Sequence, residues 1–234
     1  MAATLPIRLV LFDCDGTLVD GRHAAVAAMA AGFAAAGLPP PAEAAVCRVG
    51  GLSLEDALRR LLPADAPDEL HRRAAAGFRA AFAAQRARPD GGEPLFPGIA
   101  DALVAMEAAG CLLGVATGMA RRPLLALLDA HGLRRRFVTL QTADDGPGKP
   151  APDMILRAMA ETGAEPGSTA MVGDTTYDME MARNARVAAI GVAWGHHPPP
   201  MLTRAGARCV AAAPVDLPRL ASELLSGEEN ASRL

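Results

Sequence analysis

An α/β fold, a doubly wound parallel sheet with an inserted all-helical domain, is the architecture this sequence predicts. Two observations point to it. Short apolar runs alternate with helix-periodic segments along most of the chain, the pattern of parallel strands buried on both faces. The alternation fails once, over a long Ala-rich stretch that follows the first run.

The runs are residues 7–12, 112–116, 137–140, 170–172 and 188–193, with residues 208–211 as a candidate sixth strand. Each ends at Gly, Pro, Asp or Thr, residues that terminate strands and open turns. Between Asp20 and Leu95 no strand pattern occurs. Val26, Met29, Ala30 and Phe33 recur at helical spacing there, as do Leu54, Leu58, Leu61 and Leu62. Pro94 and Pro97-Gly98 mark the return, followed by a core helix through Met106. The expected division is therefore a core of residues 1–19 and 96–234 around a helical domain of residues 20–95. Pro198-Pro199-Pro200 reads as a rigid surface connection.

Composition bounds the function. Apolar residues make up 51% of the chain and aromatics only 3%, so the core is built from Ala, Leu and Val. A net charge of -3 argues against nucleic acid as a partner, which asks for a basic stripe. The 4 cysteines are scattered without a C-x-x-C pair, which fits a reducing compartment and no zinc site. No secretory leader is evident, and no apolar stretch approaches the roughly 20 residues that span a bilayer. A soluble cytoplasmic protein, monomer or homodimer, without membrane partners is the expectation.

In open α/β sheets ligands bind at the carboxyl ends of the strands. The first strand ends in Asp13-Cys14-Asp15-Gly16-Thr17-Leu18-Val19-Asp20. Two carboxylates there are costly unless a cation meets them. The second ends in Thr117-Gly118, a hydroxyl and a backbone N–H at a helix start, which suits an anion. Beyond the third lies Gly148-Lys149-Pro150, holding the single lysine among 23 Lys and Arg residues. An ammonium is a compact point charge where guanidinium is a broad fork, so this position asks for the compact charge. The fourth ends in Gly173-Asp174-Thr175-Thr176-Tyr177-Asp178. Four carboxylates in one crevice would repel by several kcal/mol, on the order of what a hard divalent cation relieves. Oxygen ligands with retained waters suit Mg²⁺, and the hydroxyl, ammonium and backbone donors then face a phosphate.

These boxes, in this order and spacing, resemble the haloacid dehalogenase-like hydrolases over essentially the whole chain. The subgroup most similar is the phosphoglycolate phosphatase-like enzymes, with a Rossmann-like core and a small helical cap. The resemblance implies that Asp13 attacks phosphorus and that Asp15 protonates the leaving alkoxide, then activates water. It implies that Thr117, Gly118 and Lys149 hold the phosphoryl group. Asp13, Asp15 (through its backbone carbonyl), Asp174 and Asp178 would bind Mg²⁺. The expected partner is a small phosphorylated metabolite, phosphoglycolate-like or a sugar phosphate. The alternatives are a β-phosphoglucomutase-like phosphoryl transferase and a non-catalytic phosphate-binding protein. The cap has no Lys, against a phosphonate-cleaving enzyme, and Asp15 speaks against a dehalogenase.

One departure stands out. Met119 follows Thr117-Gly118 where many such relatives carry Lys or Asn, with Arg121 or Arg122 as candidate substitutes. In the cap, Arg48 before Gly50-Gly51 is a candidate substrate grip, and His23 a second contact. His196-His197 reads as loop surface, since adjacent histidines do not easily chelate one metal.

Overall fold

The computed structural model describes residues 6–88 and 92–226. The first strand is β1 (Arg8–Phe12). It leads into α1 (Arg22–Ala35), α2 (Glu43–Arg48), α3 (Leu54–Leu61), α4 (Asp68–Arg86) and α5 (Ile99–Ala108). From there strands and helices alternate: β2 (Cys111–Ala116), α6 (Arg121–Ala130), β3 (Phe137–Gln141), α7 (Asp153–Thr162), β4 (Thr169–Gly173) and α8 (Thr176–Asn184). The series closes with β5 (Ala188–Val192), α9 (Pro199–Ala205), β6 (Cys209–Ala211) and α10 (Leu217–Leu225).

All strand pairs are parallel, in the order β3-β2-β1-β4-β5-β6. The candidate sixth strand is thus a real edge strand. Ile7 lies outside β1 and is 41% exposed, so the first apolar run begins one residue later than expected. Alternation along β1 builds both faces of the core. Val10 and Phe12 pack among α5, α6 and α10, while Leu9 and Leu11 pack among α7, α8 and α9. The order reverses between β1 and β4, which opens a crevice at their carboxyl ends. Pro199 and Pro200 open α9 rather than forming an extended connection, because proline suits the first helical turn.

The helices between β1 and α5 have their own apolar cluster, including Met29, Phe33, Val46, Leu52, Leu58, Leu62 and Ala74. Its tightest contact is α1 on α4. A side chain at Gly32 would meet the Ala74 carbonyl at 2.6 Å, so only glycine lets the helices approach this closely. Two strands of chain join this unit to the sheet side by side. Asp20 N–H donates to the Pro94 carbonyl at 2.8 Å and Phe96 N–H to the Leu18 carbonyl at 3.0 Å. Beside them Arg86, at the end of α4, grips buried Glu93 with the Nε–Nη2 edge of its guanidinium, at 2.9–3.1 Å. Among the described residues no helix is long and apolar enough to cross a membrane. No disulfide links the cysteines among the described residues.

Candidate active site

Strand register assembles the site. Phe12 pairs with Val115 on one side and Val172 on the other. The residues just beyond these strands, Asp13, Thr117 and Asp174, therefore share one end of the sheet. Asp13 N–H donates to the Val172 carbonyl at 2.9 Å, which extends the ladder into the site. The Asp13 side chain is buried. Its Oδ1 accepts from Cys14 N–H at 2.7 Å and lies 2.8 Å from Lys149 Nζ, while its Oδ2 has no hydrogen-bond partner. Burial pushes the Asp13 carboxyl up to about 8, with Lys149 pulling it down and Asp178 and Asp174 pushing it further up.

Asp15 is turned differently. Its Oδ1 accepts from Gly21 N–H at 3.0 Å, at the start of α1. Burial raises it to about 6; His196 opposes this, and Asp174 and Glu93 add to it. Its carboxylate is not one of the three whose oxygens lie within 4.8 Å of one another.

Lys149 is fully buried and sits between two carboxylates, 2.8 Å from Asp13 and 2.7 Å from Asp178. Those ion pairs outweigh the desolvation that burial imposes and hold its pKa above the usual lysine value. Asp178 Oδ2 accepts from Thr175 N–H at 3.0 Å and Thr175 Oγ1 at 2.7 Å, a capping box that opens α8. Both Asp178 oxygens are thus engaged, one with Lys149 and one with the cap. Asp174 Oδ1 accepts from Thr17 Oγ1 at 3.0 Å, and its Oδ2 accepts His196 N–H at 2.8 Å and the His196 ring at 2.7 Å.

His196 therefore corrects the surface reading. Its side chain is 4% exposed and buttresses an acid of the site. That contact raises the imidazole to about 9 against the pull of burial. His197 is buried too, with its Nδ1 accepting from Thr176 N–H at 3.0 Å. The missed signal was the end of β5. The rule applied to the first four strands also covers Trp194-Gly195-His196, just past the fifth.

Thr117 is buried, and its Oγ1 accepts from Met119 N–H at 3.2 Å, which folds the loop after β2 into a tight turn. Arg121 does not fill the gap at Met119; it pairs with Asp145 at 2.7 Å and the Leu140 carbonyl at 3.0 Å. Arg122 is exposed. The guanidinium that reaches Met119 comes from Arg86, 3.8 Å from the sulfur and 2.9 Å from the Pro123 carbonyl.

The helical unit lies directly over this site. A Cβ on Gly51 would sit 3.0 Å from Thr175 Oγ1 and 3.5 Å from Asp13 Oδ2. At Gly118 it would sit 2.4 Å from the Leu52 carbonyl oxygen and 2.6 Å from that of Gly51. Backbone meets backbone here because both loops lack side chains. Gly118→Ala is expected to lift the loop and lower kcat/KM by roughly ten- to a hundredfold. The fold should persist, with a melting temperature near wild type; unchanged kinetics would show that this approach is not needed for turnover. Arg48 is exposed, and what it brings inward is its carbonyl, which accepts from Tyr177 Oη at 3.0 Å. His23 is exposed at the rim of a cavity it lines with Gly16, Arg22 and His196.

Asp13, Asp174 and Asp178 each bring a carboxylate oxygen within 4.8 Å of the others. The buried Asp13 Oδ2 without a partner is the strongest sign that a cation fits. Asp174 Oδ1 accepts a single hydrogen bond and keeps a second lone pair. The donor set is hard oxygen, which suits Mg²⁺ rather than a softer metal. Such a group of acids, ammonium and hydroxyl can bind a phosphate and carry out acid–base chemistry on it.

Comparison with known proteins places the chain in a family. Residues 7–186 match the sequence profile of the haloacid dehalogenase-like hydrolases. The chain is 39% identical over 190 residues to the "Probable phosphatase IndB" of Dickeya dadantii, covering 81% of this chain and 82% of that protein. It is 32% identical over 202 residues to the phosphoglycolate phosphatase of Agrobacterium fabrum, covering 83% and 84%. A solved hydrolase from Pseudomonas syringae superposes with a TM-score of 0.81 at 28% identity, covering 92% of this chain and 98% of that one. With profile, relatives and fold in accord, the chain belongs to the haloacid dehalogenase-like hydrolase family and is an enzyme of that family.

Proposed function

We propose that this enzyme is a Mg²⁺-dependent phosphatase that hydrolyses a small phosphomonoester through an aspartyl-phosphate on Asp13. The observation that carries the reading is the pairing of Asp13 and Asp15. The first keeps one buried oxygen without a partner beside Lys149. The second, two residues on, is held near a pKa of about 6 and so carries a proton for part of the working pH range.

In the first step the Asp13 carboxylate attacks phosphorus, the bond to the leaving oxygen breaks, and Asp15 gives that oxygen its proton. In the second, Asp15 takes a proton from water as water attacks phosphorus, and the Asp13 carboxylate is restored. Lys149 balances charge on Asp13 and on the transferring oxygens, and Thr117 and Gly118 donate to them. Asp13, Asp174 and the backbone of Asp15 would hold Mg²⁺, with Asp178 fixing Lys149; the ion supplies charge neutralisation at the phosphoryl oxygens. Residues 20–95 act as the cap that excludes water, with Gly50-Gly51 as its inner lip.

The test is release of inorganic phosphate with and without Mg²⁺. Phenyl phosphate and glycerol phosphate should both be hydrolysed with Mg²⁺, and neither after chelation. With Mg²⁺ and Lys149 holding Asp13 ionised, loss of the Asp15 proton should lower kcat/KM as pH rises above about 6. The fall should be steeper for the alkyl ester, whose leaving oxygen needs the proton more. Metal-independent turnover, or equal pH profiles for the two esters, would refute the assignment.

A further inference from the structure

Two cavities flank the closed site. One, of about 540 Å³, lies on the Lys149 side between α3 and Asn184. The other, of about 270 Å³, is lined by Gly16, Asp20, Arg22, His23, Glu43, Phe96, Trp194, Gly195 and His196. Above Asp13 lies the Gly51 backbone, where an added Cβ would come 3.5 Å from Asp13 Oδ2, so the cap loop covers this side of the site. A leaving oxygen has to lie within hydrogen-bond reach of Asp15 to take its proton. Asp15 Oδ1 rests on the N–H of Gly21, between Asp20 and Arg22 of the second cavity, so the alcohol portion of the substrate points there.

Resting on the phosphatase reading above, we infer that the leaving group is a small, uncharged, polyhydroxylated alcohol held between Asp20, Arg22 and Glu43 against Trp194. Size is the first argument. The cavity has half the volume of the one on the Lys149 side, about 270 against 540 Å³. A short-chain polyol or small sugar suits the smaller space better than a bulky nucleoside.

Charge is the second argument. His196 faces the cavity but its ring already holds Asp174, and one Arg22 N–H goes to the Gly195 carbonyl at 2.7 Å. That leaves Arg22, with its remaining donors, and the rim imidazole of His23 facing the two carboxylates of Asp20 and Glu43. A carboxylate-bearing leaving group would meet two like charges. Hydroxyls suit the same wall, because each both donates to an acid and accepts from Arg22 or His23. The aromatic pair Phe96 and Trp194, with ring centroids 6.2 Å apart, offers the carbon skeleton an apolar side.

The experiment compares kcat/KM for glycerol 1-phosphate, erythritol 4-phosphate, 2-phosphoglycolate, a nucleoside monophosphate and phenyl phosphate in wild type and Glu43→Gln. The polyol esters should exceed 2-phosphoglycolate by about tenfold or more, with the nucleotide last. Glu43→Gln should narrow the polyol-to-glycolate ratio severalfold, since it removes one repelling charge and keeps the side-chain shape. If phenyl phosphate is hydrolysed but 2-phosphoglycolate equals or leads the polyols, or Glu43→Gln leaves the ratio unmoved, the inference is overturned while the phosphatase reading stands. If no ester is hydrolysed, phenyl phosphate included, the phosphatase reading falls and this inference with it.

Discussion

Asp13→Asn is expected to remove turnover by roughly four orders of magnitude or more while leaving the protein at least as stable as wild type. The amide has the size and shape of the carboxylate but no nucleophilic oxygen anion. Lys149 keeps Asp178 as a partner at 2.7 Å, so no buried cation is stranded. The native carboxylate is itself a burden on the fold. An unfolded Asp titrates near 3.9, whereas burial lifts Asp13 to about 8. Between those values the folded state binds a proton that the unfolded state does not, so stability falls as pH rises through the window. Asparagine removes that slope. Metal-free melting curves should therefore show the variant gaining on wild type from pH 5 to pH 8. Activity within tenfold of wild type would sink the nucleophile assignment, and a lower melting temperature at pH 8 would sink the stability argument.

Lys149→Met should cost both rate and stability. The Met side chain fills a similar volume but leaves Asp13 and Asp178 side by side and buried without their cation. Removing one partner of a buried ion pair typically costs about 3–5 kcal/mol. Here the penalty depends on pH, because in acid Asp13 takes up a proton and the repulsion ceases. Destabilisation should thus be larger at pH 8 than at pH 5. Added Mg²⁺ should restore part of the lost stability, since a bound dication relieves the same repulsion. It should not restore turnover, which is expected to fall by roughly 10²–10³ through loss of charge stabilisation at the phosphoryl group. Lys149→Arg should fail to rescue, because a planar fork does not fit a slot whose occupant is 0% exposed. Stability equal to wild type at both pH values, or rescue by Arg, would contradict this account.

The sheet and the acids were legible because both follow from short-range rules. Fully buried parallel strands need unbroken apolar runs, and the chain past each run faces the crevice. The lone lysine was legible from composition alone. Contacts made across long sequence distances were not. Thr17 on Asp174 spans 157 positions, and the Arg86 guanidinium at Met119 spans 33. Neither leaves a local pattern. Asp178 was read as holding the metal or its waters, and its carboxylate lies within 4.8 Å of those of Asp13 and Asp174. Spacing cannot reveal that its Oδ2 also closes a capping box with Thr175 and that its Oδ1 lies beside Lys149. Arg48 was chosen for its charge, yet it meets the core through its carbonyl, a group every residue carries. His196 was set aside because neighbouring histidines rarely chelate together, but it serves singly, as a prop for Asp174.

A chain with one lysine, wholly enclosed, has an unusual spectroscopic use. Isotopic enrichment of that amino acid alone yields a single ε-amine resonance, and its reporter lies against the reacting carboxylate. Amine-directed reagents, by the same token, find no such side chain on the outside. Occupancy, protonation and closure could each be followed in the intact enzyme as movement of one peak, without a label foreign to the protein.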